Sequence, residues 1–403
     1  MSKVLIVSHY FWPENFKINA ICQELIKKGY EVSVLTGKPN YPVGSFKKGY
    51  TFFNKNLEIW NNIKIYRAPV FTRGKGSSIN LIINWISFGF FGTIRSFFIN
   101  EKFDKIFVYQ PSPFTVAIPA LFLKYRYNAK IYFWVQDIWP ETLSAAGGIK
   151  SKILLNIVSF FVKKTYLRCE KILVQSKSFI EKILEMGIDD KKIIYFPNST
   201  ENFYKPMIKD IEIDKTLPKG FKLLFAGNIG EAQSFDTLID AAYKVKNKGF
   251  KLSWIILGDG RKKDYAMKKC EALKLSDDFI FLGSFPSKMM PRFFSCADAL
   301  VVSLKDEPIF SMTIPNKIQS YLASGKPIIA SLSGEGASCI VESQSGFVAN
   351  AEDSEMLSKI ILKFLNLDSK KKKELGENAR KYYLNQFDME LLINKLDKIF
   401  KND

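Results

Sequence analysis

The sequence predicts an α/β protein made of two doubly wound domains, and three observations carry this prediction. The chain has 403 residues, more than the roughly 250–300 at which a single hydrophobic core stops growing. Short apolar runs alternate with helical periodicity in both halves. A polar stretch punctuated by prolines, residues 197–220, separates the halves. We therefore expect domains at residues 1–200 and 201–384, and a C-terminal helix at about 385–403 that packs back on the first domain.

The first half opens with the elements of a parallel βαβ unit. An apolar run at residues 4–7 predicts a strand, a helical pattern at 18–28 ends before Gly29, and a second strand follows at 31–35. Later apolar runs predict strands at residues 106–109, 130–135 and 171–175. This alternation is typical of a Rossmann-like sheet.

The second half repeats this pattern after the linker. Residues 236–246 predict a helix, and the tail from Ser354 is helical in pattern. Strands are predicted at residues 222–226, 252–257, 279–282, 299–303 and 327–330. We therefore expect a second Rossmann-like domain, with the two domains facing a central cleft.

The composition narrows the class of partner. With 59 Lys and Arg against 40 Asp and Glu, the net charge of +19 indicates either a solvated basic surface or an anionic partner. The sequence has no basic arm and no zinc-finger pattern, so nothing in it indicates a nucleic-acid partner. The five cysteines form no Cys-x-x-Cys pair and His9 is the only histidine, so we expect no metal site and a reducing cytoplasm. The N-terminus lacks the pattern of a secretory signal.

The longest apolar stretch, residues 79–98, has three interpretations. Asn84, Gly89 and Arg95 interrupt it, which fits a core helix. Its length approaches the roughly 20 residues of a membrane span. A helix that lies in the interface of an anionic membrane is the third possibility, with Arg73, Lys75 and Arg95 near the headgroups.

Two glycine-rich loops follow successive strands of the second half, where ligands of parallel sheets gather. The first contains Gly227, Asn228 and Gly230, and the second contains Gly258, Asp259 and Arg261. Backbone amides of such loops can approach a phosphate, although simple turns also explain the glycines. Together the two loops favour a nucleotide.

Lys317 is predicted in the first turn of a helix that ends at Gly325. A lysine there opposes the helix dipole unless an anion lies close by, which favours phosphate, whereas a surface lysine is the alternative. Gln319 follows on the same helix. Glu335 lies in the loop 333–337, where it either contacts the bound ligand or belongs to a turn.

Candidate acceptor groups belong to the first half. The strand at residues 130–135 leads into Asp137, Trp139 and Glu141. Asp137 is our candidate catalytic carboxylate, with an N-cap role as the alternative, and Trp139 is suited to packing on a sugar face. The opening loop adds aromatic and polar candidates for the acceptor: His9, Trp12, Glu14 and Asn15.

The motifs PNKIQSYLASGKPIIA, GNIG and LGDGR, together with YFWPENFKIN, TGKPNYPVG and WVQDIWPE, resemble those of retaining glycosyltransferases of family 4. They look most like the branch of WbuB-type N-acetyl-L-fucosamine transferases. The resemblance implies the GT-B fold and metal-independent transfer with retention, from a UDP-sugar held by the second domain. It also implies a polyprenyl-diphosphate-linked acceptor held by the first domain, in O-antigen or capsule synthesis. From the apolar stretch at residues 79–98 and the lack of a secretory pattern, we expect the protein to be attached peripherally to the cytoplasmic face of the inner membrane.

The sequence departs from this family at three places. Asn228 and Gln233 stand where many members place Arg and Lys on the diphosphate. Ser311 and Gln319 replace a pair of glutamates, and Gln136 replaces a histidine before Asp137. We therefore expect Lys317, helped by Arg261, to supply the positive charge.

Two other functions remain open at this point. A UDP-sugar 2-epimerase shares the architecture, but it needs acid and base residues and no acceptor. A non-catalytic regulatory subunit that binds a nucleotide sugar is the second alternative.

Overall fold

A computed structural model of the chain describes residues 2–143 and 151–402. It divides into two compact units, one formed by Met1–Pro197 with Leu392–Asp403 and the other by Asn198–Leu391. Each unit is built on a sheet of mainly parallel strands with helices between them, which confirms the predicted fold class.

The sheet of the first unit has the strand order β3-β4-β2-β1-β5-β6-β7-β8 among the described residues. All neighbouring pairs are parallel except β3 and β4. The order reverses between β1 and β5, which marks the point where ligands of such sheets bind. The strands are β1 Lys3–Ser8, β2 Glu31–Gly37, β3 Leu57–Trp60, β4 Ile63–Ala68, β5 Lys105–Gln110, β6 Lys130–Val135, β7 Lys171–Val174 and β8 Ile193–Tyr195.

Helices cover both faces of this sheet. Side chains alternate along a strand, and in β6 the ring of Phe133 lies 5.7 Å from that of Tyr166, whereas Tyr132 lies 4.7 Å from Phe400. Tyr166 and Phe400 belong to different helices, so these two helices pack on opposite faces. Within residues 2–143 and 151–402, the helices with defined bounds are α1 Lys17–Lys27, α2 Ser78–Phe97, α3 Ala117–Tyr127, α4 Lys152–Arg168, α5 Ser178–Glu185 and the last helix of the chain, Met389–Asn402, most of which belongs to this unit.

The sheet of the second unit is parallel, with the order β11-β10-β9-β12-β13-β14 among the described residues. This is the strand order of dinucleotide-binding domains, and it reverses between β9 and β12. The strands are β9 Lys222–Ala226, β10 Ser253–Leu257, β11 Phe279–Gly283, β12 Ala299–Ser303, β13 Ile328–Ser331 and β14 Gly346–Ala349.

Two apolar cores fill the faces of this second sheet. Leu224 of β9 belongs to one core and its neighbours Leu223 and Phe225 to the other, as the alternation of a strand requires. The helices of this unit are α6 Ile211–Thr216, α7 Phe235–Asn247, α8 Lys263–Ala272, α9 Met290–Cys296, α10 Pro308–Ser311, α11 Asn316–Ala323, α12 Glu335–Glu342, α13 Ser354–Leu365 and α14 Ser369–Gln386.

The expected linker at residues 197–220 contains ordered structure. Asp210 caps α6 by accepting a hydrogen bond from the Ile213 amide at 3.0 Å, and it forms an ion pair with Arg292. The prolines and polar residues that suggested a linker therefore surround a short capped helix of the second unit. The last helix begins at Met389, not at about 385, because α14 continues to Gln386.

All five cysteines are buried, and none of them forms a disulfide bond. Cys22 and Cys169 lie in the first unit, and Cys270, Cys296 and Cys339 in the second.

The apolar stretch at residues 79–98 forms α2, whose polar and small residues face the protein. Asn84 and Ser87 are buried, and both hydrogen-bond to Phe71 in the preceding loop. Among the described residues, no helix combines the length and apolar character needed to cross a bilayer.

Candidate functional site

In the second unit, the two glycine-rich loops are bonded to each other. The Gly227 amide donates to the Leu257 carbonyl at 2.8 Å, and the Ile229 amide donates to the Asp259 carbonyl at 2.8 Å. In the opposite direction, the Lys262 amide donates to the Ile229 carbonyl at 3.0 Å. The loops after β9 and β10 therefore form one backbone layer at the carboxyl end of the sheet.

This close approach requires glycine. A Cβ at Gly258, whose φ is +148°, would lie 1.8 Å from the Gly227 carbonyl oxygen. At Gly260, with φ of +157°, it would lie 2.3 Å from the Ile229 oxygen. Both positions combine a glycine-only backbone conformation with contact against backbone, so the glycines do more than form simple turns.

Gln233 braces the first loop from within. Its Oε1 accepts hydrogen bonds from the Gly230 amide at 3.1 Å and from Asn228 Nδ2 at 3.2 Å. The predicted donor-binding residues Asn228, Gly230 and Gln233 are thus brought together, with Asn228 exposed.

Lys317 lies in the first turn of α11 and points at the first loop. Its Nζ lies 3.6 Å from the centre of the Phe225 ring, and a Cβ on Gly227 would lie 2.7 Å from its Cε. Although part of the side chain is exposed, Nζ is buried and has no hydrogen-bond partner among the described residues. Burial lowers the pKa of Lys317 to about 7.

A residue that the sequence analysis did not single out anchors this lysine-bearing helix. Tyr321 of α11 is buried, its hydroxyl accepts from the Ala226 amide at 3.1 Å, and it donates to the Val301 carbonyl at 3.3 Å. These bonds tie α11 to β9 and β12 beside the reversal of strand order. Tyr321 carries no charge and its spacing resembles that of a core residue, so only the tertiary contacts identify it.

The remaining predicted donor residues have different environments. Gln319 is buried, whereas Asp259 and Arg261 are exposed on the second loop, where Asp259 Oδ1 accepts from the Gly260 amide at 2.8 Å. Glu335 begins α12, directly after Gly334. A Cβ at Gly334 would lie 2.0 Å from the Ser311 carbonyl oxygen, so this turn is packed and not a loose loop.

In the first unit, Glu14 holds the loop after β2. Its Oε1 accepts from the backbone amides of Asn40 at 2.7 Å and Tyr41 at 2.6 Å. Burial raises the pKa of Glu14 to about 7 in spite of these bonds. The carboxylate predicted to contact an acceptor therefore also shapes the loop around it.

His9 follows β1 directly and is buried. Burial, and then the positive charge of Arg73, lower its pKa to about 3, so the ring is neutral at physiological pH. Asn84 lies beside the ring, yet neither ring nitrogen makes an aligned hydrogen bond within the described chain.

The other two residues of the opening loop differ in exposure. Trp12 stacks on Trp60 with ring centres 5.5 Å apart, so one face of its indole is covered. Asn15 is exposed.

Asp137 lies two residues beyond the end of β6. Burial raises its pKa to about 7. Its carboxylate is close enough to Tyr109 that it raises the pKa of that phenol further, after burial. The first helical residue after Asp137 is Glu141, four positions further along the chain.

Trp139 and Glu141 present unpartnered polar atoms near Asp137. Trp139 is buried 5.7 Å from Trp85, and its indole N–H has no acceptor within the described residues. The Glu141 Oε2 atom is likewise buried without a donor there.

Two glutamines extend this group of unpartnered atoms. Gln110 ends β5, fully buried, and neither atom of its amide has a partner among the described residues. The Nε2 atom of Gln136 is also without an acceptor there. Since buried polar groups are normally hydrogen-bonded, these amides indicate a polar ligand at the ends of β5 and β6. A polar residue that ends an apolar run was the available signal for Gln110.

The part of the chain that is described contains no cluster of side chains suited to bind a metal ion. Residues 2–143 and 151–402 contain no group of three or more His, Cys, Asp or Glu side chains able to hold an ion.

Two family models match the chain and together span most of it. Residues 18–201 match "Glycosyltransferase Family 4", and residues 208–382 match "Glycosyl transferases group 1". With the two Rossmann-like units, these matches show that the chain belongs to the GT-B glycosyltransferases of the group 1/family 4 type.

Individual relatives are distant. The chain is 24% identical, over 80% of its length and 81% of the relative, to the putative colanic acid biosynthesis glycosyl transferase WcaI of Escherichia coli K12. Among solved structures it resembles sucrose-phosphate synthase from Thermosynechococcus elongatus, with a TM-score of 0.75 and 14% identity over 100% of this chain and 98% of that one. It also resembles Anabaena HepE in complex with UDP, with a TM-score of 0.70 and 14% identity over 100% of both chains.

Proposed function

We propose that the chain transfers a sugar from a UDP-sugar to a lipid-linked saccharide during surface polysaccharide synthesis, with retention and without a metal. The family supports sugar transfer, and a relative named for colanic acid biosynthesis supports the polysaccharide pathway. A structural relative bound to UDP supports the nucleotide.

The observation that carries the donor proposal is the buried amine of Lys317. It lies against the Gly227 loop at the carboxyl end of β9 and lacks a partner in the described chain. Its position in the first turn of a helix makes a positive charge there unfavourable by itself. A diphosphate would remove this penalty, because its oxygens can accept from Nζ and from backbone amides of the loop.

The catalytic consequence is stabilisation of the leaving diphosphate. Charge develops on UDP as the bond to the sugar breaks, and Lys317 in its protonated form would offset that charge. Asn228 and Gln233 are neutral and hydrogen-bond within the loop, so they supply no positive charge, and the proposal assigns that charge to Lys317. Gln319 and Glu335 are proposed to contact the ribose and the donor sugar, and Arg261, which is exposed, to assist the diphosphate.

The acceptor is proposed to bind at the carboxyl ends of β1, β5 and β6. Asp137 would orient the attacking hydroxyl or stabilise positive charge at the anomeric carbon. The unpartnered amides of Gln110 and Gln136 and the indole N–H of Trp139 would hydrogen-bond the saccharide. His9 is neutral, which fits a mechanism in which the departing phosphate accepts the proton of the attacking hydroxyl.

The finer assignment follows the motif resemblance. We propose an N-acetylated hexosamine, such as the 6-deoxy sugar N-acetyl-L-fucosamine, as the donated sugar, and a polyprenyl-diphosphate-linked saccharide as the acceptor. O-antigen or capsule would be the product. Because such acceptors stay in the bilayer, the protein would work peripherally on the cytoplasmic face of the inner membrane.

The test measures UDP binding and acceptor-dependent UDP release with EDTA present. The donors are UDP-N-acetylhexosamines, including 6-deoxy L-sugars, with and without membrane extract. Lys317→Met should abolish release and weaken UDP binding, whereas Lys251→Met, the same change at an exposed position before β10, should change neither. Epimerised UDP-sugar without release would replace the proposal by a 2-epimerase. Binding without turnover under any acceptor would favour a regulatory subunit.

A further inference from the structure

The exposed side of α2 is a continuous apolar stripe. Its residues follow the three- and four-residue spacing of one helix face, whereas the opposite face, with Asn84 and Ser96, is buried in the protein. The polarity of the helix is thus the reverse of that of an ordinary surface helix. The exposed stripe comprises Ile79, Ile83, Ile86, Phe90, Ile94 and Phe97.

The helices next to α2 extend this surface and give it a single sign of charge. α3 packs against α2, and α4 packs against α3. None of the three contains Asp or Glu, whereas α2 has one basic residue, α3 has two and α4 has four. An apolar surface with only positive charge is complementary to an anionic bilayer.

A cavity of about 180 Å³ opens beside the C-terminal half of α2. Phe91, Ile94 and Phe98 line it from the α2 side, and Arg67 and Arg95 line it together with Asn56 and Pro69. Phe98 is 65% exposed at its mouth. The cavity therefore joins the apolar stripe to two guanidinium groups.

The positive charge around the cavity exceeds the negative charge. Arg67 is fully buried and forms an ion pair with Glu58, while its other donors reach the carbonyls of Gly37 and Trp12. Lys38 is also buried, and burial, followed by the charge of Arg67, lowers its pKa to about 8.

Arg95 has no acidic partner among the described residues. One of its nitrogens donates to the Asn56 carbonyl at 2.9 Å. Its Nε is buried without an acceptor in the described chain. A buried N–H of a charged group that lacks an acceptor is costly, so an anion would stabilise this arrangement.

We propose that this cavity binds the phosphate of an anionic phospholipid, with Arg95 as the principal ligand and the acyl chains along the exposed stripe of α2. The proposal rests on the proposed function in one respect, since a lipid-linked acceptor places the enzyme at a membrane. The phosphate site is separate from the diphosphate site at Lys317, which belongs to the second unit.

The test compares the full chain with two variants that each remove one positive charge. Arg95→Gln changes the cavity, and Lys75→Gln changes an exposed residue that precedes α2. Co-sedimentation uses vesicles of phosphatidylcholine with or without phosphatidylglycerol. Loss of one surface charge should lower binding about five-fold, and 0.5 M NaCl should screen that effect. Arg95→Gln should lower binding more than ten-fold, and the loss should persist at 0.5 M NaCl, where Lys75→Gln should match the wild type.

Equal losses in the two variants would overturn the proposal, because net charge alone would then explain binding. A free phosphate is the other possible source of the same chemistry. The lipid assignment would be overturned, and the site assigned to phosphate, by two results together. Without vesicles, 10 mM inorganic phosphate would stabilise the wild type against thermal unfolding but not Arg95→Gln. The same phosphate concentration would also prevent the wild type from binding vesicles.

Two controls keep the result interpretable. If Arg95→Gln does not fold, Phe98→Asp puts a carboxylate at the exposed mouth, and it should produce the same salt-resistant loss. UDP binding is measured on every variant. Normal UDP binding with unchanged vesicle binding would reject this inference alone, whereas absence of UDP binding in the wild type would reject the proposed donor site instead.

Discussion

Lys317 makes the pH dependence of UDP binding a direct test of the donor site. Burial lowers the pKa of this lysine to about 7 in the ligand-free protein, and a bound diphosphate should raise it again. Binding then takes up a proton, so affinity falls as pH rises above 7. With a pKa of 7, the dissociation constant should be roughly 25-fold larger at pH 8.5 than at pH 6.5.

The Lys317→Met variant should lose this dependence. A hydrogen bond to a charged group contributes about 1.5–3 kcal/mol, so UDP should bind roughly 10- to 150-fold more weakly at pH 6.5. The ligand-free variant should melt at a higher temperature than the wild type. Because the folded-state pKa lies below the unfolded one, the buried amine destabilises the fold most below pH 7, and this cost fades as pH rises toward the unfolded pKa.

The assay is titration calorimetry with UDP across this pH range, repeated in two buffers of different ionisation enthalpy to count protons, with thermal melts alongside. A purely structural lysine would give a lower melting temperature in the variant and an unchanged pH slope. A flat wild-type profile, or a variant that binds UDP as the wild type does, would refute the reasoning.

Three further predictions concern catalysis, the glycine loops and metal independence. Burial raises the pKa of Asp137 to about 7, so if the carboxylate is required, transfer at saturating donor should fall about ten-fold from pH 8 to pH 6. Asp137→Asn should lower transfer at least about 100-fold without changing UDP binding. Gly258→Ala, whose Cβ would meet the Gly227 oxygen, should abolish UDP binding or lower stability by several kcal/mol in melts, whereas Gly249→Ala, with open space around its Cβ, should cost about 1 kcal/mol. Transfer measured with excess EDTA should equal that with added Mg²⁺, and a rate that EDTA abolishes would contradict the metal-independent mechanism.

Buried strands were the most predictable part of the fold. Lys130–Val135, Lys222–Ala226 and Ala299–Ser303 have the predicted bounds, because parallel strands covered on both faces are continuous apolar runs. β3 and β4 were not predicted. They form an antiparallel pair at the sheet edge and carry charged residues between apolar ones, so their sequence has no such run.

The position of a site residue was predictable where the local sequence defines the element that carries it. Lys317 lies in the first turn of its helix, as its sequence context indicates, but its contact with Phe225 and the burial of Nζ are tertiary facts. Glu14 accepts hydrogen bonds from the amides of Asn40 and Tyr41, which lie far from it in the sequence, so no local pattern predicts these bonds.

The location of the five thiols determines how readily this enzyme can be labelled. Since every native cysteine is buried, maleimide reagents should react little with the native thiols of the folded protein. A single cysteine introduced at Phe90, which is 60% exposed, would then carry a fluorophore or spin label without removal of the native five. The accessibility of such a label to lipid-soluble and water-soluble quenchers would measure the depth of that position in a vesicle, one residue at a time.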